Sequence, residues 1–126
     1  MAARSRITTH VLDASNGVPA SGVDVQISVM TGSTGFNATW QVLASGKTDS
    51  DGRCTTLLLD AAGTPLALTP GVYKLDFATA PYFEGKGQKC FFPFCSISFE
   101  VPNPPQPHYH VPLLLSNYSY STYRGS

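Results

Sequence analysis

Apolar residues recur at every second position through most of this chain, and that period admits strands and little else. In "VDVQISV", Val23, Val25, Ile27 and Val29 alternate with Asp24, Gln26 and Ser28. "YKLDF" repeats the pattern with Tyr73, Leu75 and Phe77, and "SISFEV" with Ile97, Phe99 and Val101. Successive side chains of a strand point to opposite faces, so each segment is apolar on one side and polar on the other. Further strands are expected over Ile7–Asp13, Trp40–Lys47, Thr55–Leu58, His108–Leu115 and Tyr118–Tyr123. Turn signals such as "SNG", "ASG", "DSDG", "TPG" and "NPPQP" separate them at short intervals. Seven or eight short strands punctuated in this way predict an all-β fold, an antiparallel β-sandwich. One short helix is expected from about Ala80 to Lys86, with Pro81 in its first turn and Gly85 and Gly87 at its end. Residues 30–38 read as a loop, and the prolines of "VPNPPQP" exclude a central strand there.

Length and charge narrow the function classes. A chain of 126 residues points to one domain, spanning 1–126. Eight basic and eight acidic residues give a net charge of zero, so no basic field is available for nucleic acid or an anionic membrane surface. Charged residues make up only 13%, against about 25% in an ordinary soluble domain, which suggests a surface partly covered by partners. The apolar runs fall far short of the ~20 residues of a membrane helix. "MAARSRITTHVLD" lacks the apolar centre of a secretory signal. The cysteine count of three, without such a signal, favours reduced structural thiols. Cys90 and Cys95 have a C-x4-C spacing, but no second pair follows to complete a zinc site.

The chain has three histidines, His10, His108 and His110, all within expected strands. His108 and His110 are two apart and share a face with Pro112 and Leu114, while Tyr109, Val111 and Leu113 face a core. Thr8, His10 and Leu12 share a face of the first strand. Ser119, Ser121 and Tyr123 share one of the last. An exposed face would ordinarily carry Lys and Glu. Histidine and serine there fit a polar pocket or a wet interface. Imidazoles titrate near neutrality and can activate water, and a cation or N–H can hold the developing oxyanion. Taken singly, each histidine also reads as a structural residue, His108 and His110 as a metal pair without a carboxylate nearby, and Arg53 as a surface arginine after a tight turn.

Four stretches together carry a resemblance: "ITTHVLDASNGVPASGV", "KTDSDGR", "FFPFCSISFEV" and "HYHVPLLLSNYSYSTYRGS". They resemble the transthyretin-related 5-hydroxyisourate hydrolases from about Ile7 to Ser126, most specifically at the terminal Tyr-Arg-Gly-Ser. The resemblance implies a transthyretin-like sandwich and an enzyme of urate breakdown. Such an enzyme opens the six-membered ring of 5-hydroxyisourate to give 2-oxo-4-hydroxy-4-carboxy-5-ureidoimidazoline. It implies no metal and no organic cofactor. The implied assembly is a homotetramer, a dimer of dimers, with sites in the channel between dimers. Residue by residue, the resemblance implies catalytic roles for His10, Arg53, His110 and Ser126, with substrate contacts from His108, Ser121, Tyr123, Arg124 and Gly125. Either His10 or His110 is the implied base towards water, with attack on the C6 carbonyl. Ser126 orients a histidine or acts as a nucleophile. The terminal residues are expected to wall the site, so that nothing follows Ser126. Asn117 stands where the family usually has proline, and Cys95 is an unusual thiol in its strand. Asp13 and Ala14 depart from a peroxisomal signal, leaving the cytoplasm as the expected compartment and the peroxisome as the alternative. The rival readings are a transthyretin-type carrier of small ligands, which would not need the histidines or Arg53, and an immunoglobulin-type interaction module. The latter requires a Cys…Trp…Cys order, yet Trp40 precedes every cysteine.

Overall fold

The computed structural model describes residues 3–32 and 35–126. Among these residues the alternating segments form strands β1 (Ile7–Asp13), β2 (Val18–Pro19), β3 (Asp24–Thr31), β4 (Thr39–Lys47), β5 (Arg53–Cys54), β6 (Gly71–Phe77), β7 (Cys95–Val101), β8 (Tyr109–Leu115) and β9 (Tyr120–Thr122). One sheet runs β2-β1-β8-β9, with β5 also on β1; the other runs β4-β3-β6-β7. The apolar faces meet between the sheets. Ile7, Val11, Leu113 and Leu115 from the first pack with Val25, Ile27, Leu75, Phe77 and Val101 from the second, all at 1% exposure or less. Burying a side chain of this kind stabilises by roughly 1.5–3 kcal/mol, which is why the alternation dictates the layers. Thr9 sits in this core, and its hydroxyl donates to the Val111 carbonyl at 2.6 Å.

The sandwich is not wholly antiparallel as expected. β1 and β8 run parallel, pairing Ile7 with Tyr109 through Asp13 with Leu115. Parallel neighbours need a long crossover, and here the whole second sheet lies between them in sequence. No local signal distinguishes the two orientations.

Four other expectations shift. The strand expected at Thr55–Leu58 does not form there; β5 is the two residues before it, Arg53–Cys54. Leu57 and Leu58 are buried outside any strand, where the Leu58 N–H donates to the Ser5 hydroxyl. A short apolar run satisfies the core outside any strand, so hydrophobicity alone misassigns it. The last strand contracts to Tyr120–Thr122, because the Ser116 N–H bonds to the Ser119 carbonyl and leaves Tyr118 in a turn. The helix, α1, is Thr79–Glu84, seated on buried Thr79 and Phe83, with Gly85 as its C-cap. Within the expected 30–38 loop, Ser33 and Thr34 lie outside the described residues, while β3 extends to Thr31.

Candidate active site

The outer face of the β1–β8 sheet is a grid set by strand register. β5 pairs antiparallel with β1 and places Arg53 opposite His10. Side chains opposite each other in such a pair lie roughly 5 Å apart at Cβ. The parallel register places Thr8 beside His110 and His10 beside Pro112. Beyond β9 the chain continues alongside β8 and bridges Gly125 to His110. The same register puts Tyr123 opposite Pro112 and Ser121 opposite Leu114. Three rows result: Thr8, His110 and Gly125; then Arg53, His10, Pro112 and Tyr123; then Leu12, Leu114 and Ser121. The first two rows are polar and the third is largely apolar.

The motif "DSDGR" builds the arginine end. The Asp49 carboxylate accepts the N–H groups of Asp51 and Arg53 at 2.9 and 3.0 Å, closing the turn. Gly52 has φ of +77°, and a Cβ there would meet the Val11 carbonyl oxygen at 2.4 Å. Only glycine meets both conditions. The turn thereby aims the Asp51 carbonyl at His10, whose Nε2–H donates to it at 2.8 Å. A carbonyl only accepts, so neutral His10 carries its proton on Nε2 and its lone pair on Nδ1.

The other histidines converge on one hydroxyl. Thr8 Oγ lies 3.0 Å from His108 Nε2 and 2.8 Å from His110 Nδ1. The two rings are near-parallel, 14° apart with centroids at 6.4 Å. Burial pushes the His110 imidazole below its ordinary pKa, and the positive charges of His108, Arg53, His10 and Arg4 push the same way. Burial, Arg4 and Arg124 do likewise at His108. Burial disfavours the imidazolium, and neighbouring cations repel it, so His110 is a neutral base at pH 7. Gly125 lies close beside the His110 ring, its N–H donating to the His110 carbonyl at 2.8 Å. Ser126 follows it and is exposed.

The structure thus brings His10, Arg53, His108, His110, Tyr123 and Gly125 to one face. It does not bring the Arg124 side chain there. Arg124 falls opposite Val111, on the inner side of the sheet, with its guanidinium 4.9 Å from the centre of the Tyr109 ring. There it lines a cavity of about 450 Å³ with Ile97, Phe99, Glu100 and Thr122 at the open edge of the sandwich. Ser121 is exposed in the apolar row, two residues along the strand from Tyr123. Among the described residues no group of three His, Cys, Asp or Glu side chains converges as a metal site would require. Cys54 and Cys95 are buried, Cys90 is half-buried, and all three are free thiols. Sequence reasoning missed Thr8 and the Asp51 carbonyl as parts of the site. Thr8 shares the alternation face of His10, a signal that gains meaning only once β8 is known to lie beside β1.

Comparison with known proteins bears on the family and the fold. A family model described as the HIUase/Transthyretin family matches residues 7–125. The uric acid degradation bifunctional protein TTL of Arabidopsis thaliana is 46% identical over 98% of this chain, which spans only 38% of that protein's length. The 5-hydroxyisourate hydrolase of Mus musculus is 42% identical over 97% of this chain and 96% of its own. Among solved structures, transthyretin from Sparus aurata superimposes with a TM-score of 0.80 at 29% identity, covering 97% of each chain.

Proposed function

The chain belongs to the HIUase/Transthyretin family, and from that premise we propose that it hydrolyses 5-hydroxyisourate in urate breakdown. The observation that carries this reading is the register that sets Arg53 against His10, and Thr8 against His110, on one open face. That face holds a neutral base, a fixed cation and imidazole N–H donors, the set that adding water to a cyclic amide needs. Resemblance to a transthyretin sandwich is neutral between enzyme and carrier. Identity of 42% to a hydrolase along nearly its whole length, against 29% to a transthyretin, supports the enzyme.

The mechanism follows from charge. Neutral His110 takes a proton from water as its oxygen attacks the C6 carbonyl, giving a tetrahedral oxyanion. The Arg53 guanidinium holds that charge, and a bond between ionised partners is about twice as strong as a neutral one. His10, tied to Asp51 through Nε2, presents Nδ1 to a hydroxyl or N–H of the substrate and orients the ring. Tyr123 and Gly125 bound the space beside His110, and Ser126 stands at its rim. Arg124 stands on the other side of the sheet, where its charge adds to burial and to Arg4 in lowering the His108 pKa. The polar face, exposed in the single chain, is closed by a second copy in a homotetramer, with paired sites across the channel.

Urate oxidase generating 5-hydroxyisourate in the cuvette, with the decay in absorbance followed on adding this protein, is the direct test. Faster decay than the spontaneous reaction is expected, with or without a chelator. His10→Ala should abolish it while sedimentation still reports a tetramer. Unaccelerated decay with the wild-type protein overturns the enzyme reading, and a sedimenting monomer overturns the assembly.

A further inference from the structure

Thr8 is only 2% exposed, yet it is a hydroxyl on the outer, polar face of its sheet. The two histidine rings cover it. Its oxygen carries one hydrogen and two lone pairs, and it meets two ring nitrogens, His108 Nε2 and His110 Nδ1. With both rings neutral, one hydroxyl hydrogen cannot serve two nitrogen lone pairs. A chain in which one ring donates to Oγ, and Oγ donates to the other, satisfies all three groups. The chain can run in two directions. Run from His108 to His110, it leaves His110 with a hydrogen on Nε2 and no free lone pair. Run from His110 to His108, it frees the Nε2 lone pair of His110.

Resting on the hydrolase reading above, we infer that Thr8 is a positioning residue that sets the tautomer of His110 and passes its proton on. The Thr8 oxygen accepts the Nδ1–H of His110 and donates to His108 Nε2, so the basic Nε2 is presented to the attacking water. As the water oxygen bonds to the carbonyl carbon, its proton goes to His110 Nε2. The Nδ1 proton moves to the Thr8 oxygen while the Thr8 hydrogen moves to His108 Nε2. The positive charge ends on His108, and His110 is neutral again with its hydrogen on Nε2. That hydrogen then goes to the ring nitrogen as the C–N bond breaks, and the chain runs back to its start. Water has supplied a hydroxyl to carbon and a proton to nitrogen, and no other reactant is consumed.

The surroundings favour this direction. His110 faces His10 and Thr8 from β1, Arg53 from β5, Gly125 and Tyr123 from the segment beyond β8, and Arg4 beyond the start of β1. Apart from the imidazoles, the charged groups among these are all cationic. His110 stands closest to Arg53 and His10 in the grid, so a proton held there meets the most repulsion. One step along the strand, His108 lies farther from that pair; the cations that act on it are Arg4, shared with His110, and Arg124 from the other side of the sheet.

The test uses the whole protein with two variants, Thr8→Val, which keeps the shape and removes the hydroxyl, and Thr8→Ser, which keeps the hydroxyl. Long-range ¹H–¹⁵N spectra of the histidine rings report the tautomers without reference to activity. Wild-type protein should show His110 with its hydrogen on Nδ1, and a ring hydrogen on Nε2 overturns the proposal. Thr8→Val should lose about 10²-fold in kcat with KM within twofold, the scale of one proton-transfer catalyst, and shift the acid limb of the kcat profile. Thr8→Ser should recover most of that rate. A Thr8→Val enzyme with wild-type kcat and pH profile, or a serine variant no better than valine, overturns it. If Thr8→Val does not fold, the serine variant's pH profile and the wild-type tautomer still decide. Inactive wild-type protein, in contrast, strikes the hydrolase reading and leaves the tautomer measurement to judge the hydrogen-bond chain.

Discussion

Gly125 lies against the ring edge of His110, so close that a Cβ on it would stand 2.6 Å from Cδ2. The ring cannot swing away freely, because its Nδ1 is held by Thr8 at 2.8 Å. Gly125→Ala should therefore push the ring off Thr8 or lift the last residues from β8. The tail lies at the sheet edge, so stability should barely change. Misplacing a catalytic group by about 1 Å costs on the order of 10²-fold. Steady-state kinetics beside a thermal melt would show a large loss of kcat at a nearly constant Tm. An active alanine variant would mean that the tail does not position His110.

Gly52→Ala should damage both stability and activity. A Cβ at this position meets backbone, the Val11 carbonyl at 2.4 Å, at a φ of +77°. Strain of this kind costs roughly 1–3 kcal/mol. The same shift moves the Asp51 carbonyl away from His10. Urea denaturation should give a lower midpoint with unchanged slope, and kcat should fall with it.

Arg53→Gln should lower kcat more than it raises KM, since the guanidinium is asked to hold charge that develops during reaction. Loss of one oxyanion partner typically costs about 10²–10³-fold. Arg53→Lys should recover only part, because the ammonium lacks the planar fork. Equal loss from glutamine and lysine would point to shape, not charge, as what the residue supplies.

Acid should switch the site off below, not at, the ordinary histidine range. Burial and neighbouring cations hold His110 down, so the acid limb of kcat/KM should fall below the ordinary histidine value. The sign for stability is the same. An unfolded chain takes a proton on this ring near pH 6.5, whereas the folded chain resists until lower pH. Stability from this group is complete above the unfolded value and is lost as pH falls between the two. Arg53→Gln removes one repelling charge and should move the activity limb upward, readable in a pH–rate series.

Tyr82→Phe should destabilise the sandwich without touching the site. The Tyr82 hydroxyl donates to Asp13 Oδ2 at 2.7 Å, where Asn16 also donates to that carboxylate. Burial raises the Asp13 pKa, but these hydrogen bonds outweigh it and hold the carboxyl below its usual value. A hydrogen bond to a charged group contributes about 1.5–3 kcal/mol. The loss should be seen in the denaturation midpoint at neutral pH. It should shrink as pH falls through the carboxylate range, where Asp13 takes up a proton.

Strand faces were legible because alternation is a local property. The placement of Thr8, His10 and Leu12 on one face of β1, and of His108 and His110 on one face of β8, follows from counting by two. Thr55–Leu58 shows the limit of that method. Leu57, Leu58 and Leu59 satisfy burial in a strand or in a coil, and hydrophobicity cannot choose. Arg124 shows another limit. It neighbours Tyr123 and Gly125 in a motif carried over as one unit, yet strand alternation turns it to the opposite side of the sheet, onto Tyr109.

From the residues alone came the segments that become strands, the face each one buries, and three imidazoles and an arginine set apart from the core. The tertiary structure alone decided that β1 and β8 lie parallel, with Thr8 and His110 side by side although 102 residues apart in the chain. Alternation specifies which side of a strand is buried, but not which strand lies next to it or in which direction. That choice is made by the fit of two whole sheets around one core, and the shared hydroxyl between two histidines exists only after it is made.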